Sequence, residues 1–180
     1  MHREIYLIAD RIRSLHNVGS LFRTADAFGV AKLYLCGYTG TPPRKEISKV
    51  ALGAEEIVPW EKRAQTWKLV EELQGRGIMV VALEIGSSAR LQPRQAISSA
   101  RIYPRQSATL KSRTTSTPIH LWHPKFPLAL VVGNEVSGVS PGVLSRADAI
   151  VHIPMLGQKE SLNVSVAAGV ALYAARYNRS

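Results

Sequence analysis

Cysteine occurs once in this 180-residue chain, at Cys36. No internal disulfide can form, which fits a reducing cytoplasm and excludes a small disulfide-stapled fold. Cys36 stands in "KLYLCG", a strand-like run, and reads as a small buried hydrophobe. Long apolar runs are also missing: none approaches the ~20 residues of a membrane span. The start, "MHREIYLIAD", contains acids and no signal-peptide core. The expectation is a cytoplasmic protein with no membrane partner. Acids are scarce in one place above all. The chain has 23 Lys and Arg against 13 Asp and Glu, a net charge of +10. Residues 1–85 hold 12 basic and 10 acidic residues, and residues 128–180 hold four and three. Residues 86–127 hold seven basic residues and no acid. A basic patch of this kind suits a polyanion, nucleic acid before membrane. A merely solvated surface accounts for the charge equally well.

Several catalytic signatures are absent. There is no G-x-x-x-x-G-K-[ST] loop, and no G-x-G-x-x-G follows a strand, so neither a P-loop nor a Rossmann cofactor site is indicated. There is no G-x-S-x-G elbow. Neither H-E-x-x-H nor a cysteine-rich spacing marks a metal site. His120 and His123 stand three apart in a proline-flanked loop without a third ligand, so no metal is expected.

What is present is a globular composition, 46% hydrophobic, with an alternating pattern. "EIYLIA", "AKLYLCG", "EEIVPW", "IMVVALEI", "LALVVG" and "AIVHIP" read as strands. Several are continuous apolar runs, as in strands buried on both faces. Between them lie helical patterns. In "VGSLFRTADAFG", Val18, Leu21, Phe22, Ala25 and Phe28 fall at helical spacing before Gly29, and "EISKVALGA" reads as a short helix. "EKRAQTWKLVEELQGRG" has Trp67, Val70 and Leu73 on one face, and a last helix spans about 162–177. Alternating strands and helices imply an α/β fold with a parallel sheet. One domain over 1–180 is expected, with a basic, insertion-like stretch at 86–127 whose end, "HLWHPKFP", docks through Trp122 and Phe126. Its basic residues and nearby aromatics suit RNA backbone contacts and base stacking; a solvated insertion without a role fits too.

Three glycine-marked segments follow strands: "HNVGSLFRTADAFG", "VVGNEVSGVS" and "IPMLGQKESLNVS". In an open parallel sheet, ligands bind at the carboxyl ends of strands. The third segment sets two polar residues, Ser161 and Asn163, at the mouth of an apolar helix, where capping needs only one.

These segments resemble the three motifs of the SpoU family of RNA ribose methyltransferases, in the SPOUT superfamily. Asn17, Gly19, Arg23, Ala25 and Gly29 resemble the first, and Gly133, Glu135 and Gly138 the second. "IPMLGQKESLNVSVAAGVALY" is similar to the third nearly residue for residue. The blocks stand in the family's order and span almost the whole chain. The resemblance implies an α/β fold, a mostly parallel sheet flanked by helices, with a C-terminal trefoil knot. It implies a homodimer that binds S-adenosylmethionine and methylates a ribose 2′-hydroxyl in tRNA or rRNA. Gly133, Ile153 and Leu162 would hold the cofactor, with Ile153, Met155 and Leu162 sandwiching its adenine and Leu83 bordering the pocket. Arg23 would be the catalytic arginine, either aligning a phosphate or acting as base. Asn163 would lie beside the methyl and the substrate, and Ser161 would cap the last helix or serve the site. Asn17 would hold Arg23 or the substrate, or cap the first helix. Glu135 would order the knot or pair with a basic group of the partner subunit. Two other readings stay open: an RNA-binding protein of the same fold without turnover, and a SPOUT enzyme that methylates a base nitrogen. The long 86–127 stretch departs from the family, where a shorter connection is expected.

Overall fold

The computed structural model describes residues 3–85, 116–158 and 161–178. Seven strands, β1 (Ile5–Asp10), β2 (Lys32–Cys36), β3 (Trp60–Arg63), β4 (Met79–Ile85), β5 (Thr117–Pro118), β6 (Leu128–Val132) and β7 (Ala149–Ile153), form one sheet. Its order is β3-β2-β1-β6-β4-β7-β5, and every pairing is parallel. The helices are α1 (Leu15–Ala27), α2 (Lys45–Ala51), α3 (Ala54–Ile57), α4 (Thr66–Gly75), α5 (Pro141–Leu144) and α6 (Val164–Tyr177). Among the described residues no helix is long and apolar enough to cross a membrane.

Strands β1, β2, β4, β6 and β7 are mostly apolar because both faces are covered. Ile5, Leu7 and Ala9 of β1 pack with α1, α2, α3 and α6, while Tyr6 and Ile8 pack with α4 and α5. Helix α1 buries Val18, Leu21, Phe22 and Ala25 completely. Each large side chain among them contributes about 1.5–3 kcal/mol of burial. Gly19, on the same face, lets α2 come close: a Cβ there would sit 2.6 Å from the Ile47 carbonyl oxygen. At the end of α1, Gly29 takes φ +58, as its C-terminal position requires.

Four expectations need correction. "EEIVPW" is not a strand: α3 takes Ala54–Ile57, and the strand starts at Trp60, running into the charged residues expected to open α4. The edge position of β3 tolerates those charges, since only β2 pairs with it. Trp67 does not join Val70 and Leu73 in the core. It is 36% exposed, with Lys68 and Arg146 over its ring at 5.5 and 5.1 Å. The last helix starts at Val164, two residues later than expected. The end of the 86–127 stretch carries an unexpected short strand, β5, and a 3-10 turn at Ile119–Leu121. Trp122 is buried there, Phe126 packs on the core, and Asn178 Nδ2 donates to the carbonyls of Ile119 and Trp122. Residues 86–115, which carry most of the expected basic patch, lie outside the described residues.

From β1 the chain winds to one side through β2 and β3, then returns to build β4 and β6 on the other. The reversal falls beside β1. The loops after β1, β6 and β7 therefore open at one carboxyl edge of the sheet, where such folds bind ligands.

Candidate active site

A chain of hydrogen bonds joins these three loops. Glu135, after β6, accepts from the backbone amides of Arg13 and Ser14, both at 3.1 Å, and from Asn17 Nδ2 at 2.9 Å. Asn17 Oδ1 accepts in turn from Asn163 Nδ2 at 3.0 Å. Asn163 Oδ1 accepts from the Ser165 amide at 2.9 Å and its hydroxyl at 2.6 Å. Burial pushes the Glu135 carboxyl up, but the bonds from Asn17, Arg13 and Ser14 together hold it below the ordinary carboxylate range. It stays ionised and binds the start of α1 to the β6 loop within one chain.

The network settles the question of two polar residues before α6. Asn163 is the N-cap, with extended backbone (φ −56, ψ 137), and Ser161 is not. Ser161 is exposed and makes no hydrogen bond among the described residues. The cap of α1 is likewise Ser14, whose Oγ accepts from the Asn17 amide at 3.3 Å, which frees the Asn17 side chain for Glu135 and Asn163.

Gly133 has a reason inside the chain. A Cβ there would fall 2.1 Å from the Val139 nitrogen and 2.2 Å from the Gly138 carbonyl carbon. The β6 loop folds back on itself, with Asn134 and Gly138 exchanging backbone bonds of 3.0 and 2.9 Å. Asn134 was not singled out from the sequence, yet it organises the edge. Its Oδ1 accepts from the amides of Val136 and Ser137, and its Nδ2 donates to the Arg11 carbonyl and the Tyr38 hydroxyl. Glu84 was also missed. Its Oε1 accepts from the Val139 amide at 3.0 Å, and burial raises its pKa although that bond opposes the shift. Its position beside the expected Leu83, where β4 ends, was the available signal.

An apolar wall lies across the edge. Leu83 pairs in register with Val132, and Leu83 and Ile153 share the core cluster on which Met155 and Leu162 pack. Between them runs an open loop: Leu156 is fully exposed, and nothing lies within 4 Å of a Cβ built on Gly157. Among the described residues, the amides of 155–158, Ser161 and Leu162 take no partner in the chain. Backbone amides beside partly buried aliphatic side chains suit a flat, polar-edged ring. Arg23 stands apart. It is exposed on α1 and, among the described residues, pairs with no carboxylate, the nearby Asp26 included. It lies six residues beyond Asn17, which is about 9 Å along the helix and about 240° around it. Among the described residues no three His, Cys, Asp or Glu form a metal-binding group.

Fold and site define an α/β protein with three strand-end loops joined at one carboxyl edge of its parallel sheet. The chain belongs to the SpoU rRNA methylase family, whose model matches residues 4–173. It is 30% identical over 178 residues to a tRNA (guanosine(18)-2′-O)-methyltransferase of Aquifex aeolicus, covering 98% of this chain and 71% of that protein. It is 31% identical over 174 residues to the 23S rRNA (guanosine-2′-O-)-methyltransferase RlmB of Vibrio parahaemolyticus, covering 95% of this chain and 58% of the relative. The crystal structure of an AdoMet-bound rRNA methyltransferase from Sinorhizobium meliloti matches with a TM-score of 0.76 at 26% identity, over 99% of this chain and 59% of that one. The chain thus spans little more than half the length of several curated relatives.

Proposed function

We propose that this chain transfers the methyl group of S-adenosylmethionine to a ribose 2′-hydroxyl in a structured tRNA or rRNA. The observation that carries the reading is the bonded chain Glu135–Asn17–Asn163, which draws all three family motifs to one edge beside an apolar wall. When bound, S-adenosylmethionine supplies an electrophilic methyl group on its sulfonium. Ile153, Met155 and Leu162 would grip the adenine, with Leu83 behind them. The backbone at Gly133, Ile153 and Leu162 would bond the polar edges, and Gly157 would leave room for close approach. Asn163, held by Asn17, presents its amide at the mouth of the site, with Ser161 beside it. Arg23 offers a fork of N–H donors and no acceptor atom, so it aligns an RNA phosphate and hence the ribose hydroxyl.

The site is shared between two copies. Val166, Val170, Tyr173 and Tyr177 form an exposed apolar stripe on α6, spaced as one helical face. Gly169 packs on Thr24, next to Arg23, at 3.8 Å from its built Cβ. A second copy covering this stripe would bring Arg23 of one subunit to Asn163 of the other. We further assign the segment after β7 to the family's trefoil knot, residues 1–180 to one such domain, and the enzyme to the cytoplasm.

The test is mass spectrometry of total tRNA and rRNA from a strain lacking the gene. Loss of one 2′-O-methyl nucleoside is expected; an unchanged inventory overturns the reading, and loss of a base methyl group favours a base-nitrogen enzyme. For the shared site, Arg23→Ala and Asn163→Ala are each nearly inactive. Their purified mixed dimers have one intact site in two and recover about half of wild-type activity. No recovery would place both residues in one chain's site.

A further inference from the structure

We infer that Arg11 and Tyr38 form a second RNA subsite on the β1–β2 side of the edge, taking a phosphate and a base of a nucleotide flanking the methylated one. This rests on the RNA methyltransferase reading and names residues outside the expected site.

Arg11 has φ +60, a left-handed conformation that costs a residue with a Cβ about 1–2 kcal/mol. Glycine or asparagine would be easier there, so the backbone alone gives no reason for arginine. The conformation is pinned at both ends: the Arg11 amide donates to the Cys36 carbonyl at 3.2 Å, and its carbonyl accepts from Asn134 Nδ2 at 2.9 Å. The neighbouring turn makes room for the side chain. A Cβ on Gly37 would fall 2.8 Å from Arg11 Cγ. The guanidinium is only partly used. Its Nε lies 3.5 Å from buried Asp10 and has no hydrogen-bond partner among the described residues, while the side chain is 32% exposed. Asp10 is already satisfied by the Thr66 hydroxyl at 2.6 Å and the Ser140 amide at 2.9 Å.

Tyr38 follows Gly37 and is 59% exposed, which leaves its ring open to a stacking partner. It is held rather than loose. Its hydroxyl accepts from the same Asn134 Nδ2 at 2.9 Å, and the Thr39 hydroxyl binds the turn to the Cys36 carbonyl. One asparagine of the β6 loop thus positions a fork-shaped cation and an aromatic face together. That pair matches RNA, whose backbone takes the fork and whose bases stack on the ring. The cofactor is the poorer match: of the positions assigned to it only Gly133 follows a strand next to β1, the apolar wall around Ile153 lies at β7, three strands and about 14 Å away, and the Arg11 side chain leans toward β2.

The test measures binding of an unmodified tRNA transcript across a salt series, together with S-adenosylmethionine affinity and Tm. Arg11→Asn suits the left-handed backbone. It should bind RNA about tenfold more weakly, with a log–log salt slope shallower by about 0.7, cofactor affinity kept and Tm not lowered. Tyr38→Ala should lose about tenfold, as stacking losses do, and Tyr38→Phe, which keeps the ring, should lose less. Arg11→Lys retains a charge beside Asp10 should the asparagine variant fold poorly. It too should bind RNA several-fold more weakly, because the fork is gone. Unchanged RNA affinity and slope would overturn the subsite while leaving the methyltransferase reading intact. A fall in Tm and cofactor affinity in step with RNA affinity would make Arg11 a counter-ion for Asp10 and also overturn it. If the wild type binds no RNA at any salt, the parent reading fails first.

Discussion

Asn163 does two separable things, and two substitutions pull them apart. Its Oδ1 caps α6 and its Nδ2 reaches Asn17. Asn163→Ala removes both. The cap contributes about 1 kcal/mol, and the half-exposed bond to Asn17 about 0.5–1 kcal/mol. In a domain of this size each kcal/mol moves Tm by about 2–4 °C, so the alanine variant should melt roughly 3–8 °C lower. Asn163→Asp keeps a capping oxygen and adds a negative charge that the helix N-terminus favours. Its stability should stay near wild type. It cannot donate to Asn17, however, and would set carboxylate oxygen against Asn17 Oδ1. Asn17 cannot relieve this by flipping its amide, because the flip would turn its own oxygen on Glu135 Oε1. The aspartate variant should therefore be folded and slow, with activity down about tenfold or more, the rate equivalent of ~1.4 kcal/mol. Thermal melts and methyl transfer to unmodified RNA, run on both variants, decide it. Wild-type activity in Asn163→Asp would reduce Asn163 to a helix cap and refute its place in the site.

The other predictions concern the loops and their charges. Gly133→Ala should cost about 3 kcal/mol, as overpacking against backbone does, and Gly157→Ala almost nothing in stability while weakening cofactor binding; denaturant melts and calorimetry check both. Glu135 has a lowered pKa in the fold, so its contribution is present above the ordinary carboxyl pKa and is lost as pH falls through the folded value. Glu135→Gln should therefore remove part of the acid-side stability loss. Glu84 has the opposite sign: its pKa is raised, so ionisation at neutral pH opposes folding, and Glu84→Gln should raise Tm at pH 7 but not at pH 4. Cofactor binding measured by calorimetry should be unaffected by a chelator. If about four basic residues of 86–127 meet phosphates, that stretch contributes about −3 to the salt slope of RNA binding; removing it should flatten the slope and spare cofactor affinity.

How much of this was legible follows from what each feature depends on. The strands β1, β2, β4, β6 and β7 were plain because burial on both faces makes them continuously apolar, as in "LALVV". Strand β3 was hidden by Glu61, Lys62 and Arg63, which an edge strand tolerates, and β5 is two residues long. The caps stayed open for a local reason. Ser14 and Asn17, like Ser161 and Asn163, are pairs of residues that can all cap, and only the backbone angles choose between them. Glu135, Asn17 and Asn163 could be named from motif order, but their mutual bonds span 118 and 146 residues of sequence. Asn134, Glu84 and Tyr38 escaped notice because their meaning lies wholly in such long-range contacts. Cys36 behaved as read: it is buried, and burial, reinforced by Asp10, pushes its thiol up to about 12.

The most direct test is methyl transfer by the purified chain. Unmodified total tRNA and rRNA would be incubated with S-adenosylmethionine labelled in the methyl group, then digested to nucleosides and separated. The account predicts label in a 2′-O-methyl nucleoside, dependent on Arg23 and Asn163. Label on a base, or RNA binding without any transfer by a folded, cofactor-binding protein, would contradict it.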